Sequence, residues 1–330
     1  MPIFTFAEAE DLILRTLIRC RTSPDNARTV ALALVAAEAD GLKGHGLSRV
    51  PTYAAQAKAG KVDGFATPLV TRPKPAVLAV DAAHGFAYPA IDAAVSGLPE
   101  VAHEEGVAVA PIRCSHHCGA AGHPAERLAE AGLVALLFAN TPAAVAPWGG
   151  STAVFGTNPI AFACPLPGRE PIVVDLSLSK VARGNILAAK QKGEPIPEGW
   201  ALDAAGRPTT DPDAALAGTM LPLGDAKGTA LALMVELLAA GLTGAHFAAE
   251  ASSFLDAKGP PPGTGQLIVA FDPVALAGPD ALSRFAALAS AIEAQAGARL
   301  PGLRRLEARR KASQDGVVLP DALLAEIEAV

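Results

Sequence analysis

At 330 residues, half of them apolar and a twentieth aromatic, the chain can bury a large core and divide into about two lobes built on helix–sheet packing. A net charge of −6 with scattered basic residues argues against general nucleic-acid binding. No apolar run is long enough for a bilayer, and Met1-Pro2-Ile3-Phe4-Thr5 lacks the basic start and apolar core of a secretion signal, so a cytoplasmic protein with reduced thiols is expected.

Thr5 with Glu8 forms a capping box that opens a helix through about Cys20. Ser23-Pro24 starts a second, carrying Val30, Leu34 and Val35 and stopping at Gly41. After a turn around His45, a short helix covers Val50–Ala59. Ala76–Val80 reads as a strand, Tyr88–Glu105 as a helix and Val107–Ile112 as a strand. A second section begins near Ser115, with a helix over Pro124–Ala131 and strands over Leu133–Ala139, Ile160–Cys164 and Pro171–Val174. Ser179–Lys192 reads as a helix, Gly193–Pro212 as turn-rich chain and Thr229–Ala240 as a buried helix interrupted by Glu236. Ala257–Gly265 is a Gly/Pro loop whose place before the strand Gln266–Phe271 suits a lid. Asp280–Ala296 is an amphipathic helix, and Pro320 opens a last one that can fold back on the N-terminal part. The basic run Arg304–Lys311 reads as a solvated helix face.

Several familiar signatures are missing. No Gly-x-Gly-x-x-Gly follows a strand, and there is no phosphate-binding Gly-x-x-x-x-Gly-Lys-Ser/Thr, no Gly-x-Ser-x-Gly and no His-Glu-x-x-His. Cys114-Ser-His116-His117-Cys118 offers zinc-ligand types, yet no second ligand pair follows at finger spacing, and Cys20 and Cys164 have apolar neighbours; no metal is expected.

Small polar groups remain. His45 lies between Gly44 and Gly46, which leave its ring uncrowded, and an imidazole can give and reclaim a proton at neutral pH. A histidine that merely bonds a carbonyl in a helix-ending loop is an equal reading. Arg49, four residues on, has the planar fork that grips a carboxylate, or it forms a surface ion pair. Asp175 ends an apolar strand, where it can orient a histidine or cap a helix. Gly156-Thr157-Asn158-Pro159 can aim the Thr157 hydroxyl at an anion, or be an ordinary turn. Glu236 reads as facing a polar pocket or a cation. Lys227 and Gly228, at a helix start, suit a phosphate or ribose contact.

Taken together, these motifs resemble the type-2 malate/L-lactate dehydrogenase family over nearly the whole chain. The resemblance is carried by Asp40-Gly41…Gly44-His45-Gly46…Arg49-Val50-Pro51, Ser115-His116-His117, Phe155-Gly156-Thr157-Asn158-Pro159, Asp175-Leu176…Ser179, Lys227-Gly228…Met234-Val235-Glu236 and Leu300-Pro301-Gly302…Arg304-Arg305. It implies an α/β protein with a non-Rossmann cofactor-binding domain at 116–299. A helical or mixed substrate and dimerisation lobe would comprise 1–115 with 300–330. It implies a homodimer using NADPH, which is slightly favoured, or NADH on a small carboxylate, with no nucleic-acid or membrane partner. By the family pattern His45 donates the proton and Asp175 assists it, while Arg49 and Thr157 contact the substrate. His117, Cys118, Gly119, Ala120, Ala121, Asp175, Leu176, Ser177, Lys227, Gly228 and Arg304 would lie along the cofactor. Met234–Gly244 and the Leu221-Pro222 segment most resemble Δ1-piperideine-2-carboxylate/Δ1-pyrroline-2-carboxylate reductases. The family's serine before the histidine is Gly44 here, preceded by Lys43; an inward Lys43 would meet a second anionic group, as on malate or sulfolactate. A catalytically idle ligand-binding homologue is the reading from another class.

Overall fold

The structure, a computed structural model, describes residues 1–330. β1 (Ile3–Phe4) leads into α1 (Phe6–Arg19), where the expected capping box forms: the Glu8 carboxylate accepts the Thr5 N–H at 2.8 Å and the Thr5 hydroxyl accepts the Glu8 N–H at 3.3 Å. α2 (Pro24–Ala39) follows the Ser23 cap. Two single 3₁₀ turns, Lys43–His45 and Leu47–Arg49, run into α3 (Val50–Ala59). β2 (Leu69–Lys74) and β3 (Val77–Asp81) form a hairpin, and α4 (Ala87–Glu105) precedes β4 (Val107–Ser115). Then come α5 (Gly122–Glu130), β5 (Val134–Ala139), β6 (Ile160–Leu166), β7 (Arg169–Leu176) and α6 (Arg183–Lys192). A small sheet holds β8 (Ala201–Leu202), β9 (Pro208–Thr209) and, after α7 (Pro212–Ala217), β10 (Thr219–Met220). α8 (Ala226–Glu236) runs into a π turn, Leu237–Gly241. β11 (Thr264–Phe271), α9 (Pro273–Ala277), α10 (Ala281–Glu293), α11 (Leu303–Asp315), β12 (Val317–Val318) and α12 (Asp321–Ala329) complete the chain.

The main sheet has seven strands in the order β2-β3-β4-β11-β5-β6-β7. Only β3 and β4 pair in parallel; the other neighbours are antiparallel. A doubly wound dinucleotide fold is parallel throughout. The absent glycine fingerprint and the antiparallel ladders therefore describe the same thing, an α/β sheet outside the Rossmann class. The sheet takes strands from both sides of residue 115. One face packs on α4 and α5 through alanines such as Ala90, Ala94 and Ala125, whose small side chains let helix and sheet approach closely; the other packs on the α8–π-turn region through Val235, Ala239 and Leu267. A separate core of α1, α2 and α3 is closed by Val317, Leu319 and Ile327, so the C-terminal helix does fold back on the N-terminal part.

Three expectations change. Ser179–Lys192 is helical only from Arg183, because Leu178 and Lys180 N–H groups donate to Thr157 and Leu221 carbonyls and Ser179 Oγ donates to Val181 O; tertiary pairing outcompetes the first helical turn. The apolar helix near Glu236 is not fully buried: Leu231, Leu233, Met234 and Leu237 are 41, 48, 39 and 53% exposed in the single chain. Arg304–Lys311 is not a solvated face throughout. Arg305 and Arg309 turn inward onto Asp40 and Glu126, and only Arg304, Arg310 and Lys311 remain in solvent. No helix is long and apolar enough to cross a membrane.

Candidate functional site

His45 closes the first 3₁₀ turn, half-buried, with its ring stacked on His117 at 5.3 Å between centroids and 12° between planes. Gly46 beside it is required by Glu38: a Cβ there would lie 2.2 Å from the Glu38 carboxylate that accepts the Leu47 N–H. Gly44 has open space around it, so the family serine has been lost without being displaced by a neighbour. His45 Nδ1 is buried and has no protein partner. Burial, and then the charges of Arg49 and His123, lower the His45 pKa to about 4, so the ring is neutral at pH 7.

Arg49 Nε donates to Gly44 O at 2.6 Å and the guanidinium has no carboxylate partner, which leaves its charge for a ligand. The same charge presses on His116 and His117. Burial first, then Lys61 and Arg49, push His116 down to about 3, and burial with Arg49 holds His117 well below the ordinary imidazole range. Lys43 is exposed, on the outer side of its turn near Glu38.

His117 begins the segment that joins β4 to α5. Cys118, Ala120 and Ala121 in it are buried, and burial pushes the Cys118 thiol up to about 12. The N–H groups of Gly119, Ala120 and Ala121 donate to no protein acceptor. Consecutive free amides ahead of a helix form a concavity for anionic or carbonyl oxygens. The next amide, Gly122, donates to Asp175 Oδ2 at 2.7 Å. Asp175 is raised above the usual carboxylate pKa by burial, opposed by Gly122 and by the His123 and Arg305 charges. It ties the end of β7 to the start of α5, and no hydrogen bond joins it to His45.

The Thr157 turn lies where β6 begins. Gly156 is needed because a Cβ would meet Thr141 Oγ1 at 2.2 Å; Thr141 Oγ1 in turn accepts the Thr157 N–H at 2.9 Å. Ser177 Oγ and the Leu178 N–H both donate to Thr157 O, so the loop after Leu176 lies against this turn. Asn158 is fully buried at φ 40°, and its amide donates to Ala232 O at 3.0 Å and Glu236 Oε2 at 2.8 Å. Glu236 Oε1 accepts from Asn140 Nδ2 at 3.1 Å and from the Ala248 N–H at 2.6 Å. Glu236 thus pairs with amides rather than with a cation, and holds the Thr157 turn from behind. Replacing it by Gln sets an NH₂ against donors. Glu236→Gln should cost about 2 kcal/mol of stability, read by thermal melting.

The remaining sites are apart or different from expectation. Lys227 and Arg304 are exposed on α8 and α11, Gly228 is buried on α8, and no hydrogen bond or ion pair joins any of them to the His45–His117 pair. The supposed lid is fastened. Lys61 Nζ donates to Ser253, Asp256 and Lys258 carbonyls and Gln56 Nε2 to Phe254 and Asp256 carbonyls, while His246 Nδ1 bonds Pro262 O. Phe254 is thereby set against the rings of both His116 and His117. Tyr53, Asn140, Phe254 and Arg183 all escaped the sequence reading. Arg183 has a buried Nε without a partner and no carboxylate nearby, a signal that emerges only in three dimensions.

His45 and Arg49 on adjoining 3₁₀ turns, with His117 stacked on the imidazole, stand beside an α/β sheet outside the Rossmann class. The chain belongs to the malate/L-lactate dehydrogenase family, whose profile matches residues 4–328, and is therefore an oxidoreductase. It is 51% identical over 327 residues to a (2R)-3-sulfolactate dehydrogenase (NADP(+)) of Chromohalobacter salexigens, covering 99% of this chain and 97% of that one. It is 40% identical over 329 residues to a Δ1-pyrroline-2-carboxylate reductase of Ancylobacter novellus, covering 99% and 96%. The crystal structure of Δ1-piperideine-2-carboxylate reductase from Pseudomonas syringae pv. tomato superposes with a TM-score of 0.94 at 40% identity, covering 100% and 99%.

Proposed function

We propose that this oxidoreductase interconverts a small 2-hydroxy acid and its 2-oxo acid with NADP(H), and that the substrate is a dianion of the sulfolactate or malate type. The single observation that carries the substrate reading is a second guanidinium without a carboxylate partner: Arg183 donates only to Leu216 O and leaves its Nε unpartnered, as Arg49 donates only to Gly44 O. Arg183 opens α6, eight residues past Asp175, and the loop before it is bound to the Thr157 turn through the Leu178 N–H. A half-buried guanidinium with an unpartnered N–H and no counter-charge is completed by an anion. The higher identity to a sulfolactate dehydrogenase points the same way. Reduction of cyclic 2-imino carboxylates, the activity named for the structurally similar P. syringae enzyme, is the second reading; it would need only Arg49.

The bound nicotinamide supplies hydride transfer. His117 to Ala121, with free amides at Gly119–Ala121, would hold the cofactor together with Asp175, Leu176 and Ser177; Lys227, Gly228 and Arg304 fit its phosphates or adenosine end by their charge and backbone. Arg49 grips the substrate carboxylate bidentately, and Thr157 Oγ1 fixes its second oxygen. His45, neutral in the free protein, takes the proton from the C2 hydroxyl during oxidation and returns it during reduction. An anionic substrate on Arg49 cancels one of the two cations that depress His45, which helps the ring accept that proton. Asp175 acts on His45 only through the segment it ties to Gly122.

The division expected at residue 115 is not a division of the fold: the cofactor segments of 116–299 and the substrate segments of 1–115 share one seven-stranded sheet and one core, with β4 paired to β11 across that boundary. The exposed Leu231, Leu233, Met234 and Leu237 on the α8–π-turn segment favour a homodimer that covers them. The test of substrate is NADPH oxidation with 3-sulfopyruvate, oxaloacetate, pyruvate and Δ1-pyrroline-2-carboxylate. A kcat/KM at least tenfold higher for a dianion, lost in Arg183→Ala, supports the first reading; preference for the imine selects the second, and silence on all four rejects both.

A further inference from the structure

His117 is held from behind by a line of buried hydroxyls. Tyr53 Oη lies 2.5 Å from His117 Nδ1 and 3.2 Å from Tyr88 Oη, and Tyr53 is the hydrogen-bond partner of the Tyr88 hydroxyl. All three side chains are buried. Burial pushes the Tyr53 phenol up to about 12 and holds Tyr88 well above the ordinary phenol range, so both keep their protons. His117 is neutral for the same reason, and carries a single ring hydrogen.

The count of hydrogens fixes the direction of the line. When Tyr88 donates to Tyr53 and Tyr53 donates to His117 Nδ1, each hydroxyl hydrogen has an acceptor and the ring hydrogen of His117 sits on Nε2. With the direction reversed, His117 Nδ1–H donates to Tyr53, Tyr53 donates to Tyr88, and the Tyr88 hydrogen is left buried without an acceptor. A buried, unmade donor is the costlier state. His117 Nε2 has no protein partner, yet unlike both nitrogens of His116 it is not sealed from solvent. It belongs to a ring lying parallel to that of His45.

We infer that Tyr53, backed by Tyr88, is a positioning residue that locks His117 as its Nε2–H tautomer, making it a neutral hydrogen-bond donor beside His45 for a carbonyl or carboxylate oxygen bound in the cleft. The inference rests on the reading of this cleft as the substrate site. A neutral donor there polarises a C2 oxygen without adding a second cation to the one on Arg49. A histidine free to change tautomer would present a lone pair to that oxygen half of the time.

The test uses the full-length protein labelled with [15N]histidine, the His117 signals being assigned by their loss in His117→Gln. The wild type should show a protonated Nε2 and an unprotonated Nδ1 from pH 6 to 8. Tyr53→Phe keeps the ring and its packing; it should produce a tautomer mixture and lower kcat about tenfold. A wild-type Nδ1–H tautomer overturns the inference, as does a Tyr53→Phe protein whose His117 tautomer is unchanged. A changed tautomer with kcat within twofold of wild type overturns the positioning role. The nitrogen spectrum is read without turnover, so failure of the proposed activity leaves the tautomer measurement decisive in itself.

Discussion

His45→Gln is expected to lower kcat/KM by about two to four orders of magnitude, the range for loss of a positioned acid–base group, while NADPH still binds within about threefold of wild type. Glutamine keeps the size and a hydrogen bond but cannot exchange a proton. The pH dependence follows from a His45 pKa lowered to about 4, by burial first and then by the Arg49 and His123 charges. In the proposed reaction, oxidation of a 2-hydroxy acid needs the neutral ring, so its kcat/KM should be flat from about pH 6 upward and fall as pH drops toward 4. Reduction needs the protonated ring, so its kcat/KM should decline with rising pH over the same span. Initial rates in both directions from pH 4.5 to 9 decide this, with protein stability followed alongside. Equal pH dependence in the two directions, or a His45→Gln enzyme within tenfold of wild type, rejects the proton-transfer role.

The linear features of this site were readable from sequence, and its supports were not. Gly44-His45-Gly46 and Arg49 announce themselves because small or charged residues interrupt an apolar pattern. Thr5 with Glu8 and Ser23 with Pro24 mark helix starts because capping is local chemistry within three residues. Tyr53 gave no such signal. It sits on the buried side of α3 among Val50, Ala54 and Ala57, where an aromatic ring reads as core, and its hydroxyl matters only because β4 brings His117 to it across 64 positions of sequence. Glu236 stood out as a carboxylate in an apolar helix, yet its partners Asn140 and Asn158 come from the ends of β5 and β6 and carry no local pattern. The antiparallel order of the sheet is equally nonlocal. β11 enters between β4 and β5 after the whole α6–α8 excursion, and a strand's own burial pattern does not say which neighbour it takes or in which direction.

The same distinction explains why the C-terminal arginines were misplaced. A basic cluster on a helix is ordinarily solvated, and nothing near Arg305 or Arg309 in sequence balances their charge. Their partners lie at the end of α2 and within α5, the helix that follows the His117 segment. Charge count alone shows a basic patch; three-dimensional pairing converts it into a clamp between α11, the end of α2 that leads into the His45 turn, and α5 behind the candidate cofactor segment.

Asp40→Asn should therefore be the most destabilising conservative change in the chain, costing about 3–5 kcal/mol, because it leaves buried cations without their counter-charge. The Asp40 side chain is fully buried; it accepts from Arg309 at 2.6 and 2.8 Å and from His123 Nε2 at 2.8 Å, while Glu126 accepts from both Arg305 and Arg309. Burial raises the Asp40 pKa, but the His123 and Arg309 bonds outweigh it and the folded value lies below the ordinary one. A group depressed on folding stabilises the protein above its unfolded pKa of about 3.9 and loses that contribution as pH falls through the folded value. Wild type should then lose melting temperature steeply below about pH 4, and Asp40→Asn, already lacking the charge, less steeply. Because α2 runs directly into the His45 turn and His123 lies one residue from Gly122, activity at neutral pH should fall as well, even at temperatures where the variant is folded. Thermal melts across pH 3–7 with activity at 20 °C measure both effects; a variant that melts within about 1 kcal/mol of wild type at pH 7 shows that the clamp is not what holds α11 to the site.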